Sequence, residues 1–254
     1  MKNDLFSIGP FTIHGYGLMI ALGILACIAM GMYRARKRNM SDEAVLDIAI
    51  FGVLFGFLGA KLLYVLVEFP RFLENPMSVL GSEGFVVYGG IITGVITAVL
   101  YCKRKHLSFL EYFDLLIPSV ALAQGFGRIG CFLAGCCYGR ETDAFWGVTF
   151  PEGSLAPSGV KLIPTQLLSS AGDFLIMFIL LIYSKHSKKS GNVGFLYMLL
   201  YGIGRFLIEF LRSDDRGTVG VLSTSQFISI GIILLALFLF FKDKLFPKKV
   251  ITEE

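Results

Sequence analysis

Apolar residues along this chain come in long runs, and the charged residues gather at the ends of those runs. Seven such segments can be drawn: Tyr16 to Tyr33, Ala44 to Val67, Phe85 to Cys102, Leu110 to Phe126, Leu167 to Tyr183, Val193 to Leu211 and Val219 to Phe241. Each holds roughly 15–24 residues, and a helix needs ~20 to cross a hydrocarbon core of ~30 Å. The fourth is the weakest, because it includes Glu111 and Asp114. The pattern predicts an all-α, polytopic integral membrane protein of about seven transmembrane helices, built as a single domain over residues 1–254.

Composition agrees with the pattern. The chain is 55% hydrophobic and 17% charged, against about 45–50% and about 25% for a soluble domain. That excludes both a soluble globule and a disordered chain. The net charge of +4 is too small to point to a nucleic-acid partner, so the placement of the charges carries more information. Of the 23 Lys and Arg residues, fourteen follow the first, third, fifth and seventh segments, from Arg34 to Arg38, Lys103 to Lys105, Lys185 to Lys189 and Lys242 to Lys249. The opposite connections hold six: Lys2, Arg71, Arg140, Lys161, Arg212 and Arg216. The richer side is expected to be cytoplasmic, which places the N-terminus outside and the C-terminus inside. An odd number of crossings agrees, since it puts the two ends on opposite sides.

On that topology the outer face carries Glu68 to Gly84, Arg212 to Gly217, and a region of about 38 residues from Gly127 to Pro164. Loops of that length are usually functional or disordered, and Phe145, Trp146 and Phe150 favour an ordered region resting on the membrane. No internal repeat is visible, which weighs against an inverted-repeat transporter. The 29 glycines permit close helix packing. One Lys before the first apolar run and a basic cluster after it reverse the charge order of a cleavable signal peptide. The same order counts against reading Ile24-Leu25-Ala26-Cys27 as a lipobox.

Three basic residues, Lys61, Arg128 and Arg205, lie within or against apolar segments. A basic residue at a helix centre costs about 2.5–3.5 kcal/mol on insertion scales. Glu209 stands one turn from Arg205 and Arg212 three residues further on. Mutual neutralisation is one reading of that trio. The functional reading is an anion site, since guanidinium matches phosphate oxygens in a bidentate way and lipid phosphate is the anion most available there. Just after the fourth segment, the run Gly125 to Arg140 interleaves five glycines with two arginines and three cysteines, Cys131, Cys136 and Cys137. The run lacks the Gly-Lys-Ser/Thr of a P-loop. A zinc site would need a fourth ligand, a Cys131–Cys136 disulfide is compatible with an oxidising face, and small-residue packing is the plain alternative.

These residues resemble the prolipoprotein diacylglyceryl transferase family. Gly127-Arg128-Ile129-Gly130 through Gly139 is similar to its signature, and the likeness covers most of the chain. It takes in His14-Gly15-Tyr16-Gly17-Leu18-Met19, Gly59-Ala60-Lys61-Leu62-Leu63-Tyr64, Asp114 with Pro118, Trp146-Gly147 before Phe150-Pro151, Pro164-Thr165-Gln166-Leu167, and Tyr201 to Arg212. The resemblance implies transfer of a diacylglyceryl group from phosphatidylglycerol to the lipobox cysteine thiol of a prolipoprotein signal peptide. A thioether forms and glycerol phosphate leaves, in the plasma (inner) membrane of a bacterium and with no cofactor or metal. It implies Arg128 and Arg205 on the phosphate, and Tyr16, Tyr201 and Gly139 lining the site. Glu209 and Arg212, by their place beside Arg205, and His14, on the outer side near Tyr16 and a second candidate for the base, complete the substrate-binding set.

The chain departs from the family pattern on the thiol-activating side. His-Gly-Gly, whose His is the family's proposed base, is Tyr88-Gly89-Gly90 here, which makes Tyr88 the candidate catalytic residue at that position. Cys131, Ala134 and Cys136 stand where the signature has Asn, Asn and Glu, and Leu168-Ser169 replaces Tyr-Glu. Those changes keep open a paralogous lipid-modifying enzyme with another acceptor. A transporter whose buried charges line a pathway is the reading from another class.

Overall fold

The computed structural model of the chain describes residues 4–8, 11–82, 84–213 and 217–245. Lys2, Arg216, Lys248 and Lys249, which enter the orientation argument, lie outside the described residues. In chain order, a hairpin of β1 (Asp4–Ile8) and β2 (Phe11–His14) leads into α1 (Gly15–Lys37). Then come α2 (Asp42–Val67), the short α3 (Phe69–Glu74) and α4 (Pro76–Leu80), α5 (Val87–Arg104) and α6 (Phe109–Ala134). The hairpin β3 (Val148–Thr149) with β4 (Lys161–Leu162) precedes α7 (Thr165–His186) and α8 (Asn192–Glu209). A last hairpin, β5 (Thr218–Val219) with β6 (Leu222–Ser223), opens α9 (Thr224–Leu245). All three strand pairs are antiparallel.

Among the described residues, α1, α2, α6, α7 and α9 are five helices long and apolar enough to cross a membrane. α5 and α8 have 18 residues each, and polar side chains (Lys103 and Arg104, Arg205 and Glu209) fall within them. The molecule is a mostly helical integral membrane protein. Its outward surface agrees, since Leu25, Phe57, Leu66, Ile182 and Leu234 are all more than half exposed. In water such a surface would aggregate; against lipid tails it is solvated.

α6 corrects the sequence reading in one respect. The glycine-rich run was expected to leave the helix at Gly127, but α6 continues to Ala134. Glycine is a poor helix former in water because it carries excess backbone freedom. Within hydrocarbon an unpaired backbone amide costs more than that freedom, so the helix persists. The missing side chains also serve packing: a Cβ on Gly130 would fall 3.2 Å from Tyr16 and Met19 of α1, and one on Gly125 would fall 2.4 Å from the Phe174 ring of α7. The chain leaves the helix at Gly135, whose φ of +73° suits a residue without Cβ.

The chain divides into two compact units, Met1–Cys27 with Leu116–Glu254, and Ile28–Leu115. In the smaller unit α2 and α5 pack through small residues. A Cβ on Gly59 would meet Thr93 at 2.2 Å, and one on Gly89 would meet the Gly59 carbonyl at 2.3 Å. Thr93 Oγ1 donates to the Phe55 carbonyl at 2.9 Å, an interhelical hydrogen bond within that contact. Lys61, a cation inside an apolar segment, has a structural explanation: its ammonium donates to the Ser82 carbonyl at 2.6 Å and to that of Gly84 at 3.3 Å. It also lies 5.0 Å from the Phe85 ring centre and 5.2 Å from that of Tyr64.

In the larger unit, the segment between α6 and α7 is ordered around its own small core of Phe150, Ala156 and Leu162, against which Phe132, Tyr138 and Val160 pack. Phe150 is therefore inside the protein, whereas Phe145 and Trp146 are exposed.

The close α2–α5 approach predicts that Gly89→Ala destabilises the protein by about 1–3 kcal/mol, because the helices must separate. Gly52→Ala, which meets nothing within 4 Å, should cost nothing. Thermal unfolding in detergent compares them, and equal midpoints would contradict the packing account.

Candidate active site

The site is built within the larger unit from α6, α7, α8 and the segment after α6. α7 supplies one face, Leu168, Ser169, Gly172, Asp173 and Ile176, at the spacing of consecutive turns. α8 supplies another, Tyr201, Gly204, Arg205 and Ile208. With Arg128 of α6 they enclose a cavity of about 100 Å³. Small residues let the walls approach: Gly125 of α6 receives Phe174 of α7, and Ser170 Oγ donates to the Gly125 carbonyl at 2.9 Å. Tyr197 stacks on Tyr201 with ring centres 5.6 Å apart, and its hydroxyl donates to Gln124 Oε1 at 2.6 Å. Tyr201 is thereby held at the cavity wall.

Each cavity arginine has an acid near it. Arg205 Nη1 lies 2.7 Å from Glu209 Oε2, with side chains 11% and 8% exposed. Its Nη2 donates to Ser225 Oγ of α9 at 2.7 Å. Arg128 shares the cavity with Asp173, and the two groups interact electrostatically. Asp173 is 5% exposed, and its Oδ2 has no hydrogen-bond partner among the described residues. An anion entering this cavity meets two guanidinium groups in surroundings that strengthen each contact.

After α6 the backbone is held closely. Cys137 adopts φ +64°, unusual for a residue with a side chain. Its carbonyl accepts from Thr165 Oγ1 at 2.8 Å, and that of Cys136 accepts from Gln166 Nε2 at 2.7 Å. Both donors, from the start of α7, are at most 1% exposed. Gly139 follows, paired with Arg212 in an antiparallel bridge, its amide donating to the Ile163 carbonyl at 3.0 Å. A Cβ there would lie 2.7 Å from Ile163 and 2.8 Å from the Leu211 carbonyl.

The sulfurs of Cys131, Cys136 and Cys137 lie within 4.8 Å of one another, and all three are free thiols. Hydrogen bonds from Cys131 and Cys136, with Arg212 bonded to the same sulfur, hold the Cys137 thiol well below the usual thiol range, against the opposing effect of burial. Cys136 shifts upward, its proton held by the same sulfurs. Tyr16, in the first turn of α1, lies within electrostatic reach of the three cysteines and Arg128.

Of the nine residues expected from sequence, Arg128, Tyr201 and Arg205 line the cavity. Glu209 pairs with Arg205, Arg212 joins Cys137 and Gly139, and Tyr16 packs on Gly130. His14 ends β2 and is exposed. Tyr88 belongs to the first turn of α5 in the smaller unit and is 40% exposed. Sequence reasoning missed Asp173 and Ser225. A lone acid inside the apolar run Leu167 to Tyr183 was the available signal for Asp173; Ser225 offered none.

Comparison with known proteins bears on this geometry. The family model described as prolipoprotein diacylglyceryl transferase matches residues 3–242. A phosphatidylglycerol–prolipoprotein diacylglyceryl transferase of Clostridium tetani is 50% identical over 246 residues, covering 96% of this chain and 98% of the relative. A second, of Clostridium perfringens, is 44% identical over 256 residues and covers both chains fully. A third, of Finegoldia magna, is 37% identical over 247 residues, 96% of each chain.

The sulfur cluster generates a prediction. A thiol of ordinary pKa, about 8.5, gains roughly tenfold in alkylation rate per pH unit between 6 and 8. With the Cys137 thiol held below that range, its labelling rate, read by peptide mass spectrometry, should be nearly flat. Arg212→Gln should steepen it. A tenfold rise per unit in the unmodified protein would contradict the assignment of the charge to Cys137.

Proposed function

This chain belongs to the prolipoprotein diacylglyceryl transferase family, and from that membership we propose that Arg128 and Arg205 jointly hold the phosphate of the donor lipid. The protein transfers a diacylglyceryl group from phosphatidylglycerol to a prolipoprotein. The observation that carries the assignment of the site is that two arginines on different helices, α6 and α8, line one small cavity.

The acceptor is the lipobox cysteine of a signal peptide. Its sulfur attacks the terminal glyceryl carbon of the diacylglyceryl group, the bond from that carbon to the phosphate oxygen breaks, and glycerol phosphate leaves as a thioether forms. Charge builds on the departing phosphate, where two guanidinium groups in water-poor surroundings stabilise it. Glu209 and Ser225 fix the Arg205 head, Asp173 balances Arg128, and Tyr201 and Tyr16 shape the walls. Gly139 and Arg212 join the signature's tail to the end of α8, and His14 binds substrate at the foot of α1. The thiol's proton passes by way of the Tyr88 hydroxyl, which both accepts and donates, and ends on the departing glycerol phosphate. This role rests on Tyr88 occupying the family's His-Gly-Gly position.

The same reading sets the protein in the bacterial plasma membrane as one transferase domain. α5 and α8 join the five longer helices as crossings, with the N-terminus outside, the C-terminus inside, and the segment that closes at Pro164 on the outer face. The basic residues at the C-terminal ends of α1, α5 and α7 support that orientation.

The test is purified protein in detergent with phosphatidylglycerol and a synthetic lipobox peptide, read by mass spectrometry. A diacylglyceryl mass gain on the peptide cysteine is expected; folded protein giving none would overturn the acceptor assignment. Arg128→Ala and Arg205→Ala should each lower the rate by about 10²–10³-fold, and unchanged rates would remove the phosphate roles. Tyr88→Phe should lower it by about 10²–10⁴-fold. Near-full activity in Tyr88→Phe would leave Tyr88 only a shaping role.

A further inference from the structure

The three cysteines of the signature are not needed by the phosphate chemistry, and their arrangement is more specific than packing requires. Their sulfurs lie within 4.8 Å of one another. One of them sits on a residue in the left-handed region, a conformation that costs on the order of 1–3 kcal/mol and persists only where the surroundings impose it. Those surroundings are visible: Thr165 and Gln166, both fully buried, hold the carbonyls of Cys137 and Cys136. The left-handed turn through Gly135 and Cys137 brings the Cys136 and Cys137 sulfurs back to Cys131, at the end of α6.

We propose that Cys131, Cys136 and Cys137 form a binding site for one thiophilic d10 cation, of the class of Zn²⁺ and Cd²⁺. Three sulfurs at about 2.3 Å from one ion lie about 4 Å from each other, a small contraction of the cluster as it stands. Sulfur donors select such ions over Mg²⁺ and Ca²⁺, which take oxygen ligands. On binding, Cys131 and Cys136 give their protons to solvent, so three thiolates around a divalent ion carry one net negative charge. The Arg212 guanidinium, already bonded to the Cys137 sulfur, offsets it. Three protein ligands leave a fourth position open, as in sites that exchange a ligand rather than closed structural ones. The cluster adjoins the arginine cavity, with Cys131 and Cys137 in electrostatic reach of Arg128, but none of the cavity's lining residues is a cysteine.

The test uses the full-length protein in detergent, reduced with a phosphine, and Cd²⁺ as probe. Titration should give a sulfur-to-metal charge-transfer band in the ultraviolet that saturates at one ion per chain. Cys131→Ser, Cys136→Ser and Cys137→Ser should each weaken binding by about tenfold or more, while Cys27→Ser with Cys102→Ser should leave it unchanged. Absence of the band, or its persistence when all three cluster cysteines are replaced, overturns the proposal. A measurement on the unmodified chain guards against misfolded variants. Bound Cd²⁺ should protect Cys131, Cys136 and Cys137 from maleimide and leave Cys27 and Cys102 as they were; protection of none, or of all five alike, would also overturn it.

Discussion

A guanidinium placed in an apolar helix must be compensated by something fixed in the same surroundings, and this constraint organises the larger unit. Arg205 lies twenty residues before Ser225, which the hairpin that opens α9 brings back to it, and one turn before Glu209. The compensation therefore ties α8 to itself and to α9. Arg128 imposes a similar demand, and Asp173 of α7 lies in the same cavity and interacts with it electrostatically. Insertion of each arginine uncompensated costs about 2.5–3.5 kcal/mol, so the acids make it possible to keep two strong phosphate-matching groups at one place. In the proposed site, anion binding rests on the geometry of those two heads rather than on the net charge of the protein.

Glycines make that geometry reachable. α6 stays helical through Gly125, Gly127 and Gly130 while Phe174 and Tyr16 close on the gaps, so Arg128 is positioned by a rigid helix and not by a loop. Where the backbone must turn, Gly135 takes the positive φ, and Gly139 lets the backbones of Ile163 and Leu211 approach together. In the smaller unit the same device operates between Gly59 and Gly89. Tyr88-Gly89-Gly90 is thus partly a packing motif, whatever its first residue does.

The long apolar segments, the two membrane arginines and the Arg205–Glu209 pair were legible from hydropathy and from i,i+4 spacing, which are local properties. The family resemblance was legible in the order of short motifs and agrees with the matched relatives. The end of α6 was not, because glycine's propensity in water misstates its behaviour in hydrocarbon. Nor were the partners that arrive from distant sequence: Ser225 to Arg205, Gln166 to the Cys136 carbonyl, and Arg212 to Cys137. Arg212 had been read beside Glu209, its neighbour in sequence, whereas its bonded sulfur is seventy-five residues away. Phe150, expected at the membrane surface, is in a small core of its own. Each depends on tertiary return of the chain, which periodicity does not encode.

The central claim is that Arg128 and Arg205 act on one phosphate, and a double-variant cycle on phosphatidylglycerol affinity tests it most directly. The unmodified protein, Arg128→Gln, Arg205→Gln and the double variant would be compared by lipid binding in detergent. Two groups on a shared ligand should be coupled by about 0.5–3 kcal/mol, so the double variant loses clearly more or less than the sum of the singles. Losses that add within about 0.5 kcal/mol, or no loss in either single variant, would contradict a shared phosphate site.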